Sequence, residues 1–179
     1  MKKLKLYTLN MKYVRELAKA DDRVMSISPQ LGKQNRPFVG IVVVCESKDY
    51  CIPLSSPKPK HATMKNAVDF LRITDRRGKL IGVLNLNNMI PVNGDVIRPV
   101  NMTPGAHDSV ETRKYKELLN DQLDWCNANV EVIVRKANRL YKLVTEHPER
   151  SRGLVKRCCD FTKLEALANT LRTRAAGKA

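Results

Sequence analysis

Apolar residues come in short blocks between turn residues over the first hundred positions, and at helical spacing over the last seventy. Leu4-Lys5-Leu6-Tyr7-Thr8-Leu9 is rich in strand formers and alternates at one end, which predicts a first strand. Asn10 then caps a helix from Met11 to about Ala20, with Tyr13, Val14 and Leu17 at helical spacing. Residues 21–35 hold Asp-Asp, Ser-Pro, Gly32 and Asn35 and read as a loop. Residues 38–45 form a continuous β-branched run, the pattern of a strand buried on both faces. A hairpin turn at 46–49 leads to a returning strand at 50–54. Further strands are expected at 67–73, 80–84, 89–92 and 96–100, with a basic hairpin turn at 75–79 and a helical turn at 85–88. Short strands at this spacing predict a compact, partly closed antiparallel β-barrel.

The period changes after Pro104-Gly105. Tyr115, Leu118, Leu119, Gln122, Leu123 and Cys126 repeat every 3.6 residues, and Val130, Ile133, Val134, Ala137, Leu140, Tyr141 and Val144 continue the stripe. One long helix, or two separated at 127–129, fits this equally. Pro148 ends the run. Asp160 caps a last helix with Leu164, Leu167, Ala168 and Leu171 on one face, and residues 172–179 are expected to fray. No linker divides the chain. The expectation is one α+β domain over 1–179, a β-rich core at about 4–104 elaborated by peripheral helices at about 109–172.

At 179 residues, 42% hydrophobic and 28% charged, the composition is that of an ordinary globular domain. No apolar run approaches the roughly 20 residues that cross a bilayer, and the start lacks a signal-peptide core, so a cytoplasmic protein is expected. Cys45, Cys51, Cys126, Cys158 and Cys159 are odd in number and form no C-x-x-C pair; they read as small buried hydrophobes of a reducing compartment. The histidines lack metal-ligand spacing. Neither a metal nor a cofactor is expected.

Charge changes the picture more. The net charge is +15, and residues 55–80 and 148–179 each hold +5 of it, with a nearly balanced stretch between. Such local excess points to a polyanion, nucleic acid before an acidic protein. The first basic segment opens on Pro53-Leu54-Ser55-Ser56-Pro57-Lys58-Pro59-Lys60-His61. Two prolines stiffen this loop and splay its hydroxyls, ammonium groups and imidazole. Carboxylates are scarce in the basic segments, which argues against a two-metal nuclease. Metal-independent cleavage of RNA remains, because the strand brings its own nucleophile, the 2′-hydroxyl. Held in line, it needs a proton acceptor, a proton donor and cations for the phosphorane charge, and yields a 2′,3′-cyclic phosphate and a 5′-hydroxyl.

The catalytic candidates are Lys58 as cation, Ser55 and Ser56 as hydroxyl donors, and Tyr13 as donor or stacking ring. Lys33, Arg36, Lys60, His61, Lys65, Arg76 and Arg77 are the candidate RNA contacts, with His61 also a titratable group near neutrality. Each has a plainer reading: Lys58 a solvated lysine, Ser-Ser-Pro a turn, Tyr13 a core aromatic, His61 a surface histidine.

Together these pieces resemble a known family. Tyr7-Thr8 with Tyr13, Arg36-Pro37-Phe38-Val39-Gly40-Ile41-Val42, Pro53-Leu54-Ser55-Ser56-Pro57-Lys58 with His61, Ile81-Gly82-Val83-Leu84-Asn85-Leu86, Met89-Ile90-Pro91-Val92 and then the two-helix pattern with Tyr115, Leu119, Gln122 and Leu123 stand in the order found in the ToxN/AbiQ endoribonuclease toxins of type III toxin–antitoxin systems. The resemblance spans roughly residues 4–145. It implies a MazF/Kid-like barrel core, metal-independent cleavage of single-stranded RNA, and a role in growth inhibition and abortive infection of phage. It also implies inhibition by a cognate repeat-derived RNA pseudoknot, often in a closed protein–RNA ring. Ser55, Ser56 and Lys58 match the family's site, and Tyr13 and Arg36 match flanking positions. The alternative from another class is a non-catalytic basic RNA-binding regulator; a MazF-like nuclease held by a protein antitoxin is a third reading.

Overall fold

The computed structural model describes residues 3–25 and 39–177. Among these residues seven strands form one antiparallel sheet: β1 (Leu6–Leu9), β2 (Val39–Cys45), β3 (Lys48–Ser55), β4 (Phe70–Thr74), β5 (Leu80–Asn85), β6 (Ile90–Pro91) and β7 (Ile97–Pro99). They run in the order β4-β5-β3-β2-β1-β7, with β6 paired to β3. Among the described residues no pairing joins β4 to β7, so the sheet is not closed and the barrel expectation is not confirmed. β6 and β7 are two and three residues long, too short to carry a long ladder.

The β2–β3 hairpin turns on Glu46 and Ser47, both at positive φ, the type I′ geometry that matches strand twist. Gly40 is where β2 and β3 come closest. A Cβ there would meet the Ile52 carbonyl oxygen at 2.4 Å and Cys51 Sγ at 2.6 Å, so only glycine fits.

Among the described residues five α-helices pack with the sheet: α1 (Met11–Ala20), α2 (Val110–Ala128), α3 (Val130–Thr145), α4 (Arg152–Arg157) and α5 (Phe161–Ala176). The Asn10 side chain caps α1 by accepting from the N–H groups of Lys12 and Tyr13. Of the two readings of the long stripe, two helices is the observed one, and they meet at Asn129. Neighbouring Asn127 accepts the Leu4 N–H at 2.8 Å, tying the start of the chain to this junction. The Asp160 carboxylate caps α5, which continues to Ala176 rather than fraying from 172. The short α4 was not foreseen.

The C-terminal part is core, not appendage. Cys158, Cys159, Phe161 and Leu164 are fully buried, and the Phe161 ring meets Tyr50 edge-on and stacks on Tyr141. Beside them Glu165 accepts from the Tyr50 hydroxyl at 2.6 Å, the Tyr141 hydroxyl at 2.9 Å and the Lys48 ammonium. All five cysteines are free and buried as expected, and burial pushes the thiols of Cys45, Cys126, Cys158 and Cys159 up to about 12. Among the described residues no helix is long and apolar enough to cross a membrane.

Candidate active site

One edge of β3 exchanges partners, and the site grows from that exchange. Tyr50 and Cys51 pair with β6, then Leu54 and Ser55 pair with Leu84 and Val83 of β5. Ser55 is thus the last residue of the ladder, with a fixed backbone, and Ser56-Pro57-Lys58 leaves the sheet directly from it. Lys58 has φ −110° and ψ 160°, the extended conformation imposed on a residue before proline. Pro59–Ala62 then makes a single 3-10 turn.

His61 fastens this loop. Its backbone N–H donates to the Lys58 carbonyl at 2.8 Å, and the Lys58 N–H donates to His61 Nδ1 at 3.0 Å. The ring lies tilted against Phe70, centroids 5.3 Å apart, and the residue is only 5% exposed. The surface-histidine reading is overturned: the loop folds back and the imidazole fills the space over Phe70. Burial above all, then the charges of Lys60 and Lys58, lower its pKa from the ordinary histidine value. The neutral form is the one that accepts the Lys58 N–H.

A pH dependence follows from that shift. Because the folded-state pKa lies below the unfolded one, the stabilisation is complete above about 6.5 and is lost as pH falls through the folded value. An NMR titration of His61 is expected to show a midpoint below 6.5; a midpoint at or above it would show that the ring is not held this way.

The loop, β4, the turn after β5 and the end of α4 enclose a cleft of about 510 Å³. Ser55, Lys58, Lys60, His61, Phe70, Asn85 and Arg157 line it, with Asp69 and Met25. Asn85 Nδ2 donates to Ser55 Oγ at 3.0 Å. Among the described residues the serine's own proton has only the Met25 sulfur at 4.0 Å, a weak acceptor, so it is available to a ligand oxygen. Arg157 Nε donates to the Asp69 carboxylate. That carboxylate is 7% exposed while the Arg157 side chain is 55% exposed, so the guanidinium is anchored on one edge and open on the other. Asn87 completes the wall: its side chain donates to the Arg157 carbonyl at 3.0 Å and its carbonyl accepts the Cys159 N–H at 2.8 Å.

The structure therefore brings together Ser55, Lys58, Lys60 and His61. Ser56 and Lys65 are exposed nearby without lining the cleft. Tyr13 is set apart in the core, its hydroxyl donating to the Pro91 carbonyl at 2.7 Å, and burial raises the pKa of its phenol. Arg76 and Arg77 line a different cavity, at the far end of β4. Lys33 and Arg36 lie outside the described residues.

Asn85, Asp69 and Arg157 were missed as site residues. Asp69 carried a signal, since a lone carboxylate inside Val68-Asp69-Phe70-Leu71 calls for a buried partner. The charge of segment 148–179 marked Arg157 as basic but gave it no position.

The family model described as Toxin ToxN, type III toxin-antitoxin system, matches residues 5–169. The chain belongs to the ToxN family. That match runs beyond residue 145, where the sequence resemblance stopped, through α4 and most of α5. Among ToxN relatives, Endoribonuclease ToxN of Bacillus thuringiensis subsp. kurstaki is 30% identical over 164 residues, covering 90% of this chain and 80% of that protein. Endoribonuclease ToxN of Pectobacterium atrosepticum is 27% identical over 165 residues, covering 90% of each. A type III toxin structure solved to explain selective toxin inhibition by a non-coding RNA pseudoknot superposes with a TM-score of 0.77. It is 27% identical, covering 96% of this chain and 99% of that one. AbiQ, a lactococcal anti-phage endoribonuclease of a type III system, shares the fold at a TM-score of 0.79 and 24% identity, covering 96% and 99%. This ToxN-family chain is an endoribonuclease toxin of a type III system. The non-catalytic regulator is set aside.

Proposed function

We propose that the Ser55–Lys58–Arg157 cleft cleaves single-stranded RNA without a metal ion, by attack of the strand's own 2′-hydroxyl. The observation that carries this is the convergence of a ladder-fixed hydroxyl, an ammonium and an anchored guanidinium on one cavity. The nearest carboxylate, Asp69, is committed to Arg157, so the donor set favours a phosphate over a divalent cation. As the O2′–P bond forms, the P–O5′ bond breaks; a proton leaves O2′, one arrives at O5′, and a 2′,3′-cyclic phosphate and a 5′-hydroxyl result. Lys58 and Arg157 bear on the negative charge that grows on the non-bridging oxygens, and Ser55, oriented by Asn85, donates to one of them. His61 holds the loop and is not the base, since its Nδ1 lone pair is occupied by the Lys58 N–H.

The inhibitor on this reading is a cognate small RNA folded as a pseudoknot, alternating with the toxin in a closed ring, and the toxin acts in arrest of growth and of phage. The basic cleft and the pseudoknot-inhibited relative support that partner. Incubating the free protein with single-stranded RNA in EDTA should give fragments with cyclic phosphate ends. Cutting that disappears in EDTA and returns with Mg²⁺ would overturn the mechanism.

Arg157→Gln is expected to lower kcat about 10²-fold, the scale of losing one charge-stabilising donor, with KM changing less. Arg157→Lys should recover part of it. A change in KM alone would reduce Arg157 to a strand-binding contact.

A further inference from the structure

Four charged side chains with no partner among the described residues line one cavity with the protein's single indole. Arg76 and Arg77 sit in the β4–β5 turn, where Asp75 Oδ1 accepts the N–H groups of Arg77 and Lys79 and Gly78 takes a φ of +79°. Facing them, α2 presents Asp121, Asp124 and Trp125, three and four residues apart and so on one face. Together they line a cavity of about 730 Å³, larger than the cleavage cleft. Among the described residues none of the side chains of Arg76, Arg77, Asp121 and Asp124 has an ion pair or hydrogen bond. Trp125 packs partly against the core and gives the rest of its ring to this cavity.

Unpaired charges of both signs rule out a plain anion as the natural occupant, because two carboxylates would repel it. A nucleotide meets every group: a π-face for the indole, a phosphate for the arginines and N–H donors for the carboxylates. Guanine fits best, since its N1–H and N2–H form two parallel donors that match the two oxygens of one carboxylate. Uracil offers one such donor.

We propose that this cavity is a second nucleotide subsite, taking one guanine nucleotide of an RNA strand away from the point of cleavage. The proposal rests on the cleft being the RNA-cutting site. Strand β4 connects the two, with Phe70 at the cleft and Thr74 at this cavity. Four residues of strand rise separate them by about 13 Å, a span that a few nucleotides cover.

The sole tryptophan makes the subsite its own reporter. Titrating the full-length protein with 5′-GMP is expected to quench Trp125 fluorescence saturably, and 5′-UMP to do so roughly tenfold more weakly, the worth of one bidentate base contact. Asp121→Asn with Asp124→Asn should reduce GMP to the UMP level. Arg76→Gln with Arg77→Gln should weaken both nucleotides. These positions are exposed, and an unchanged Tm confirms that the variants fold. Absence of saturable quenching, equal quenching by the two nucleotides, or indifference to both double variants overturns the subsite. Cleavage of a trinucleotide confined to the cleft is followed in EDTA on the same preparation; its failure would count against the cleft instead.

Discussion

Lys58→Ala is expected to slow cleavage of single-stranded RNA by about 10²–10³-fold, the loss seen when one preorganised charge-stabilising group is removed. The ammonium lines the cleft and has no protein partner among the described residues, so its charge is free for a phosphate. The backbone that carries it is held on both sides by His61 and stiffened by Pro57 and Pro59, so little reorganisation is needed as the phosphorane forms. Removing an exposed, unpaired side chain should leave stability within about 0.5 kcal/mol of the parent. Binding of an RNA with 2′-deoxy at the cut should fall only modestly. A cleavage rate unchanged by the substitution would sink Lys58 as a catalytic residue.

Glu165→Leu should produce the largest loss of stability. Its carboxylate receives two tyrosine hydroxyls and the Lys48 ammonium, and the Tyr50 hydroxyl is buried where water cannot replace it. Burial first, then the hydrogen bond to Glu165 and its charge, raises the Tyr50 pKa, so that phenol stays a donor. Leaving such donors unmatched costs about 2–4 kcal/mol in all, and for a chain of this length each kcal/mol moves Tm by about 2–4 °C. Calorimetry should therefore show a fall on the order of 10 °C. A fall within two degrees would mean that the hydroxyls find other acceptors. RNA cleavage should decline with it, because α4 and α5 are consecutive and Arg157 ends the first of them.

Most of the architecture was legible from periodicity. The β-branched run at 38–45 became β2, Asn10 and Asp160 proved to be caps, and the long stripe became α2 and α3. Sheet closure was not legible, because strand spacing gives the number of strands and not whether the edge strands pair. The short α4 has too few turns to show a period. In the site, local sequence showed Ser55 and Lys58 because the prolines that shape their loop are adjacent. Asn85 and Arg157 reach the cleft from 30 and 102 positions after Ser55, and only the packing of β5 and α4 brings them there. His61 was misread because burial depends on Phe70, which lies on a different strand.

The wall that carries Arg157 is made from a part of the chain synthesised well after the loop that carries Lys58. A growing chain that has delivered the strands already holds Ser55 and Lys58, but it lacks the guanidinium and the Phe161 ring that packs on Tyr50 and Tyr141. Domains generally fold as units, so the cleft is completed only once α4 and α5 have emerged. A nascent chain that has delivered only the strands is therefore expected to cut no RNA. A chain folded through α5 is also the first to offer an RNA a finished surface.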